Sequence, residues 1–88
     1  MTTAPGNIAA ILSERQKTHG SFADHAYVTQ SLKAVVMPFY DKLDAMQREA
    51  VDMILHKVGR ICAGDPSFKD HWLDVAGYAT LIADNLEA

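Results

Sequence analysis

The chain has 88 residues, enough for one domain, and its 49% apolar content suffices for a core and is too high for a disordered chain. A net charge of -3 argues against binding a nucleic-acid backbone, and the lack of a basic run argues against an anionic membrane surface. No run is long enough to span a bilayer, the first residues lack a signal-peptide pattern, and the single cysteine, Cys62, permits no intrachain disulfide. A cytoplasmic protein is therefore expected.

Residues 1–6 read as a flexible N-terminal tail, and residues 7–88 as a single helical domain. Asn7 is placed to cap a first helix with Ile8, Ile11 and Leu12 on its apolar face, fading near Lys17. Thr18-His19-Gly20-Ser21 is the break. Gly20 can take a left-handed conformation there, and Ser21 can cap the next helix. That second helix is expected over 22–37, with Phe22, His25, Val28, Leu32, Val35 and Val36 at helical spacing and Pro38 ending it. Asp44 and Gln47 form a capping box for a third helix reaching Ala63, with Gly64 beyond its end. A fourth runs from about 67–70 to Leu86, with Trp72, Val75, Ala76, Ala79, Ile82, Ala83 and Leu86 as its core stripe. No alternating strand pattern occurs. The expected fold is all-α: a small antiparallel bundle of about four helices, with the two long C-terminal helices at its centre. A chain this small often gains stability by oligomerising, so a homo-oligomer is expected. Met37, Met46, Met53, Cys62 and Trp72 are expected in the core, His25 half-buried, and Gly59 and Gly77 at a close crossing between the two long helices or across a subunit contact.

Polar residues interrupt these apolar patterns in three places. On the third helix, Glu49, Asp52, His56 and Arg60 follow at three- and four-residue steps, with Lys57 beside them. On the fourth, His71, Asp74 and Tyr78 lie along one flank. Antiparallel pairing brings Lys57 and Arg60 near Asp70 and Asp74. In a purely structural reading, Asp74 pairs with Lys57 or Arg60, and Asp52 supports His56. In a functional reading, Glu49, Asp52 and Asp74 converge on a divalent cation, with Mg²⁺ the fit to carboxylates and substrate phosphate. The third place is a helix end, where Arg15, Lys17 and His19 stand beside Gly20. Arg15, Lys17 and His19 could hold a phosphate there, or simply favour a helix C-terminus as basic side chains do. On the third and fourth helices, Lys57 and Arg60 offer charge to a phosphate and Tyr78 a stacking surface.

Glu14-Arg15 followed by His19-Gly20, then Asp52-Met53-Ile54-x-x-Lys57-x-x-Arg60, then Asp74-Val75-Ala76-Gly77-Tyr78-Ala79, resembles a family of small phage and prophage proteins of uncharacterised function. That family is in turn similar to the MazG-like all-α nucleoside-triphosphate pyrophosphohydrolases. The resemblance implies an oligomeric helical bundle in a host cytoplasm, with a Mg²⁺-dependent site for nucleoside triphosphates. The MazG-like pattern is ExxE on one helix and ExxD on the next; the matching positions here read Glu49-x-x-Asp52 and His71-x-x-Asp74. A histidine in place of an acid puts hydrolysis in doubt, so the expected function is nucleotide binding by a degenerate pyrophosphohydrolase, with or without turnover, or the sequestering of a nucleotide signal. The alternative is a non-enzymatic interaction protein that inhibits a host enzyme or defence complex, as small size and acidic charge also allow.

Overall fold

The computed structural model describes residues 4–87 and is all-α among them. Four helices, α1 (Ala4–His19), α2 (Phe22–Val36), α3 (Ala45–Ala63) and α4 (Lys69–Ala83), follow one another, with a 3₁₀ turn (Met37–Lys42) between α2 and α3. No helix is long and apolar enough to cross a membrane.

Local signals set most of the helix ends. Ser21 accepts the Asp24 N–H and caps α2. Asp44 and Gln47 satisfy each other's backbone N–H groups at the start of α3, which removes two of the orphan donors of a helix end. Two ends differ from expectation. α1 begins at Ala4, not Asn7, because Pro5 sits in the first turn, where its missing N–H costs nothing. Residues 1–3 of the expected tail lie outside the described residues. Pro38 does not stop the chain from coiling: α2 passes straight into the 3₁₀ turn, which carries the proline at its start. Arg48 Nε donates to the Tyr40 and Leu43 carbonyls at 3.0 Å each and fastens that turn to α3.

The expected centre of two helices is corrected to one. α3 packs against α2 on one side and α4 on the other, while α2 and α4 share no substantial interface. From residue 50 to residue 61 every side of α3 is buried or half-buried. Its neighbours meet it largely through polar groups. Ala50 is the only buried apolar side chain among the described residues, whereas His25, Thr29, Lys57 and His71 are all buried.

The face assigned to α4 is also rotated. Its inward positions are His71, Val75, Tyr78 and Ile82, and Trp72, Ala76 and Ala79 face out. His71 is 2% exposed and Trp72 is 53% exposed. The reason lies on α3, whose facing side carries Lys57 and Arg60, so the polar flank of α4 turns inward to answer them. Trp72 instead braces the α3–α4 loop, its Nε1 donating to the Pro66 carbonyl at 2.7 Å. Met37, Met46, Phe22 and Cys62 are likewise exposed rather than core. Gly59 does lie at a crossing: an added Cβ would stand 2.5 Å from Thr29 Oγ1 and 3.0 Å from His25 Nδ1 on α2. Gly77 lies at no crossing within the chain, since nothing lies within 4 Å of its Cβ position.

The tightest contact joins the two interhelical loops. Gly20 has φ +79°, and a Cβ there would meet the Ala63 carbonyl oxygen at 2.1 Å. A Cβ on Gly64 would meet the Thr18 carbonyl oxygen at 2.3 Å. The Thr18 carbonyl accepts two bonds from the far side of this joint, from the Asp65 N–H at 2.9 Å and from His71 Nε2 at 2.8 Å. Gly20→Ala adds the left-handed penalty of about 1–2 kcal/mol to a backbone collision, and should lower the thermal midpoint by roughly 10 °C or more. Gly77→Ala removes a helix-interior glycine in open space and should raise stability by up to ~1 kcal/mol. Circular-dichroism melts of the two variants check both signs, and a Gly20→Ala protein that melts like the wild type contradicts the joint.

Candidate functional site

The joint sets the end of α1 against the C-terminal half of α3 and leaves a cleft of about 380 Å³ between them. α1 and its following turn supply Leu12, Arg15, Gln16, His19 and Gly20; α2 supplies Phe22 and His25; α3 supplies His56 and Arg60. Two arginines and three histidines thus line one cleft, and none of its lining residues is acidic.

Arg60 is half-buried, and no carboxylate among the described residues lies within 4.0 Å of it. Removing a guanidinium from water without a counter-charge in contact is unfavourable, and burial accordingly lowers its pKa, with Arg15 adding to the effect and Asp74, beyond contact distance, opposing it. Lys57, the other cation of the α3 stripe, is satisfied: its Nζ lies 2.7 Å from Asp74 Oδ2. That contact is chiefly a hydrogen bond that holds the Asp74 carboxyl below its ordinary value. The Lys57 side chain is 10% exposed and that of Asp74 is 48% exposed, so water screens the pair on one side only.

The histidines register the same positive field. Burial, and then the charges of Arg60, His71, Arg15 and Lys57, lower the pKa of His19. Burial followed by Arg60 lowers that of His25. His56 is pushed down to about 4, by burial first and then by His25, Arg60, Lys57 and Lys33. His25 Nε2 and His56 Nδ1 stand 3.4 Å apart. The buried Nδ1 of His25 has no partner and packs against Gly59. His19 Nδ1 lies 2.6 Å from Thr18 Oγ1, which itself donates to the Arg15 carbonyl. A hydroxyl has one proton, so His19 Nδ1 is assigned as donor to Thr18, and its Nε2 is left for the cleft.

Of the expected ligand-binding set, Arg15, His19 and Arg60 come together in the cleft. Lys57 turns away to Asp74, and half-buried Tyr78 is outside the lining. The expected metal set does not assemble. Glu49 is exposed, Asp52 accepts from Tyr40 Oη at 2.5 Å, and Asp74 holds Lys57. No group of three or more His, Cys, Asp or Glu among the described residues could hold a metal ion. Mg²⁺ needs several oxygen ligands in a near-octahedral array, and Glu49, Asp52 and Asp74 do not offer one. Asp52 also does not support His56, contrary to the structural expectation. Burial, and then the bond to Asp52, raise the Tyr40 hydroxyl to about 12. His71 is spent on the joint.

Sequence reasoning left out Leu12, Gln16, Phe22, His25 and His56 as cleft residues. His25 and His56 were readable only as members of separate helices, and no local signal pairs residues 31 positions apart.

A family described as "Domain of unknown function (DUF6378)" matches residues 7–86. No curated protein and no solved structure matches the chain.

The lowered histidines fix the sign of the pH dependence. The unfolded chain takes up protons near 6.5, while folded His56 does so only near 4. Their contribution is therefore complete above about pH 6.5 and is lost as pH falls toward ~4. Urea midpoints should decline across that window, and His56→Gln should flatten the decline. Midpoints that stay constant over the window in the wild type would contradict the positive field. Asp74 does not shape this window, since its stabilisation is fully present above its ordinary 3.8 and is lost only in more acid solution.

Proposed function

The chain belongs to the DUF6378 family, a membership that assigns no chemistry, and we propose from the cleft alone that it binds a nucleotide or another phosphorylated small molecule. The observation that carries this reading is Arg60: a half-buried guanidinium with no carboxylate among the described residues within 4.0 Å, in a cleft with Arg15, His19 and no acidic lining. An anion supplies the missing counter-charge. Guanidinium groups suit phosphate because their planar forks present paired donors. Arg60 would grip the phosphate from the α3 side and Arg15 from the α1 side, and His19 would donate from Nε2 only on taking up a proton beside the bound anion. Gln16 offers an amide, and Leu12 and Phe22 give the cleft an apolar wall for the rest of the ligand.

Binding without turnover is the better half of this reading. A pyrophosphohydrolase of the resembled kind needs carboxylates at the phosphates, and Glu49, Asp52 and Asp74 do not line the cleft. In this reading Mg²⁺ arrives with the ligand's own phosphates. A phage-type protein of MazG-like descent that sequesters a nucleotide fits such a cleft, and that origin is part of the proposal. Inhibition of a host enzyme or defence complex is the competing role. It would draw on the exposed apolar surface, and no cleft would be needed.

The test is a thermal-shift and calorimetric titration with dATP, a cyclic dinucleotide and inorganic pyrophosphate, each with and without Mg²⁺. A ligand at a hundred times its dissociation constant stabilises the fold by about 2.7 kcal/mol, which is a rise of roughly 10 °C or more in a domain of this size. Arg60→Ala and Arg15→Ala should each weaken binding by about tenfold or more, the worth of a charge-assisted hydrogen bond. No shift with any of the three probes contradicts the proposal, as does equal binding by the Arg60→Ala protein.

A further inference from the structure

Two histidines of the cleft, His25 and His56, stand apart from the phosphate contacts of Arg15, Arg60 and His19. The unpartnered side of His25 decides how both are protonated. His25 is 7% exposed. Its Nε2 faces two possible acceptors, His56 Nδ1 at 3.4 Å and Thr29 Oγ1 at 3.5 Å. Its Nδ1 has no partner and lies 3.0 Å from the point where a Cβ on Gly59 would stand. A glycine carries a Cα–H in that direction, so a proton on Nδ1 would meet another hydrogen. A lone pair there meets a weak C–H donor instead. Neutral imidazole carries one ring proton, and in His25 it is therefore assigned to Nε2.

That assignment fixes the next ring. His25 Nε2–H donates to His56 Nδ1, which must be bare to accept it. His56 is neutral at neutral pH, because burial and the neighbouring charges push it down to about 4. Its one ring proton is then on Nε2. This nitrogen has no hydrogen-bond partner among the described residues and is not a buried atom. His56 lines the cleft, so its Nε2–H opens there. Arg60 follows one helical turn later on the same face of α3 and lines the same cleft.

We propose that His56 is a ligand-binding residue of this cleft: its Nε2–H donates to the phosphate that Arg60 holds, and His25 is the positioning residue that keeps the proton there. This rests on the anion-binding reading of the cleft. It adds a donor of a different kind from His19. A neutral His19 turns a lone pair toward the cleft and must take up a proton before it can donate. His56 donates while neutral, so its contact needs no proton uptake and places no further positive charge beside Arg60. An unpaired buried nitrogen such as His25 Nδ1 is a cost to the fold. Here it has a consequence: with no acceptor on that side, the proton is directed through His25 toward His56 and the cleft.

Heteronuclear NMR of the imidazole nitrogens tests the protonation on the unaltered protein at neutral pH. Both His25 and His56 should carry the proton on Nε2, and inorganic pyrophosphate should shift the His56 Nε2–H signal. Calorimetric titration with pyrophosphate tests the contact. His56→Leu should weaken binding by about tenfold or more, the worth of a hydrogen bond to a charged group. His56→Gln, whose amide nitrogen can stand where Nε2 stands, should restore binding to within about threefold. His25→Leu should leave His56 a mixture of both tautomers and weaken binding less than His56→Leu does. A wild type with the His56 proton on Nδ1 overturns the proposal, and this measurement holds even where His56→Leu fails to fold. So does a His56→Leu protein that binds as the wild type does while Arg60→Ala does not bind. A wild type that binds no pyrophosphate overturns the anion-binding reading itself, and the donor with it.

Discussion

Two glycines meeting backbone to backbone determine where everything else in this fold can go. Gly20 ends the α1–α2 turn and Gly64 ends α3, and neither site has room for a Cβ. The Thr18 carbonyl crosses the contact and is held there by the Asp65 N–H and by buried His71. A buried carbonyl must be paired. Its two donors come from the α3–α4 loop and from α4, so three helices are indexed on one oxygen atom. His19, Phe68 and His71 pack around it with ring centroids 4.9–6.3 Å apart. Beyond this joint α1 is exposed along most of its length, so the position of Arg15 relative to Arg60 depends on the joint.

The centre of the molecule is polar for a related reason. α3 offers His56, Lys57 and Arg60 within five residues, and one helix cannot turn all of them to solvent while packing on both sides. Each has a different outcome. Lys57 is paired with Asp74 across the α3–α4 contact. His56 is kept neutral beside His25, where α2 comes close at Gly59. Arg60 cannot be neutral under ordinary conditions, and it has neither solution. It opens on the cleft, with Asp74 committed to Lys57 and acting on it only from a distance, and a charge without a carboxylate in contact is the basis of its proposed chemistry.

The parts of this fold legible in the sequence are the ones that capping chemistry decides. Ser21, the Asp44–Gln47 box, left-handed Gly20 and the α3 terminus at Gly64 act within a few residues, and each stands where its local signal puts it. Helix faces are less legible, because which side of α4 turns inward depends on what α3 presents. Trp72 looks like core from its hydropathy, but the indole needs a hydrogen-bond partner and finds Pro66. His71 looks like a ligand-facing residue, and it is the most buried of the histidines because the Thr18 carbonyl, 53 residues away, requires a donor. Arg15, His19 and Arg60 are recognisable one by one as anion-binding types, and their convergence is a product of the joint. The carboxylates fail as a set because Asp52 and Asp74 each have a nearer partner.

A small chain can thus gather its charged chemistry at one end of its central helix, in a cationic cleft at the C-terminal end of α3. The central claim is that the cleft is an anion site assembled by the glycine joint. A crystal structure grown with tungstate tests this most directly, because the heavy atom of a phosphate-shaped anion is located without assumption. The account predicts a tungsten peak in the cleft with both Arg15 and Arg60 in hydrogen-bond contact. Peaks only elsewhere on the surface, with Arg60 turned to a carboxylate and the cleft closed, would contradict it.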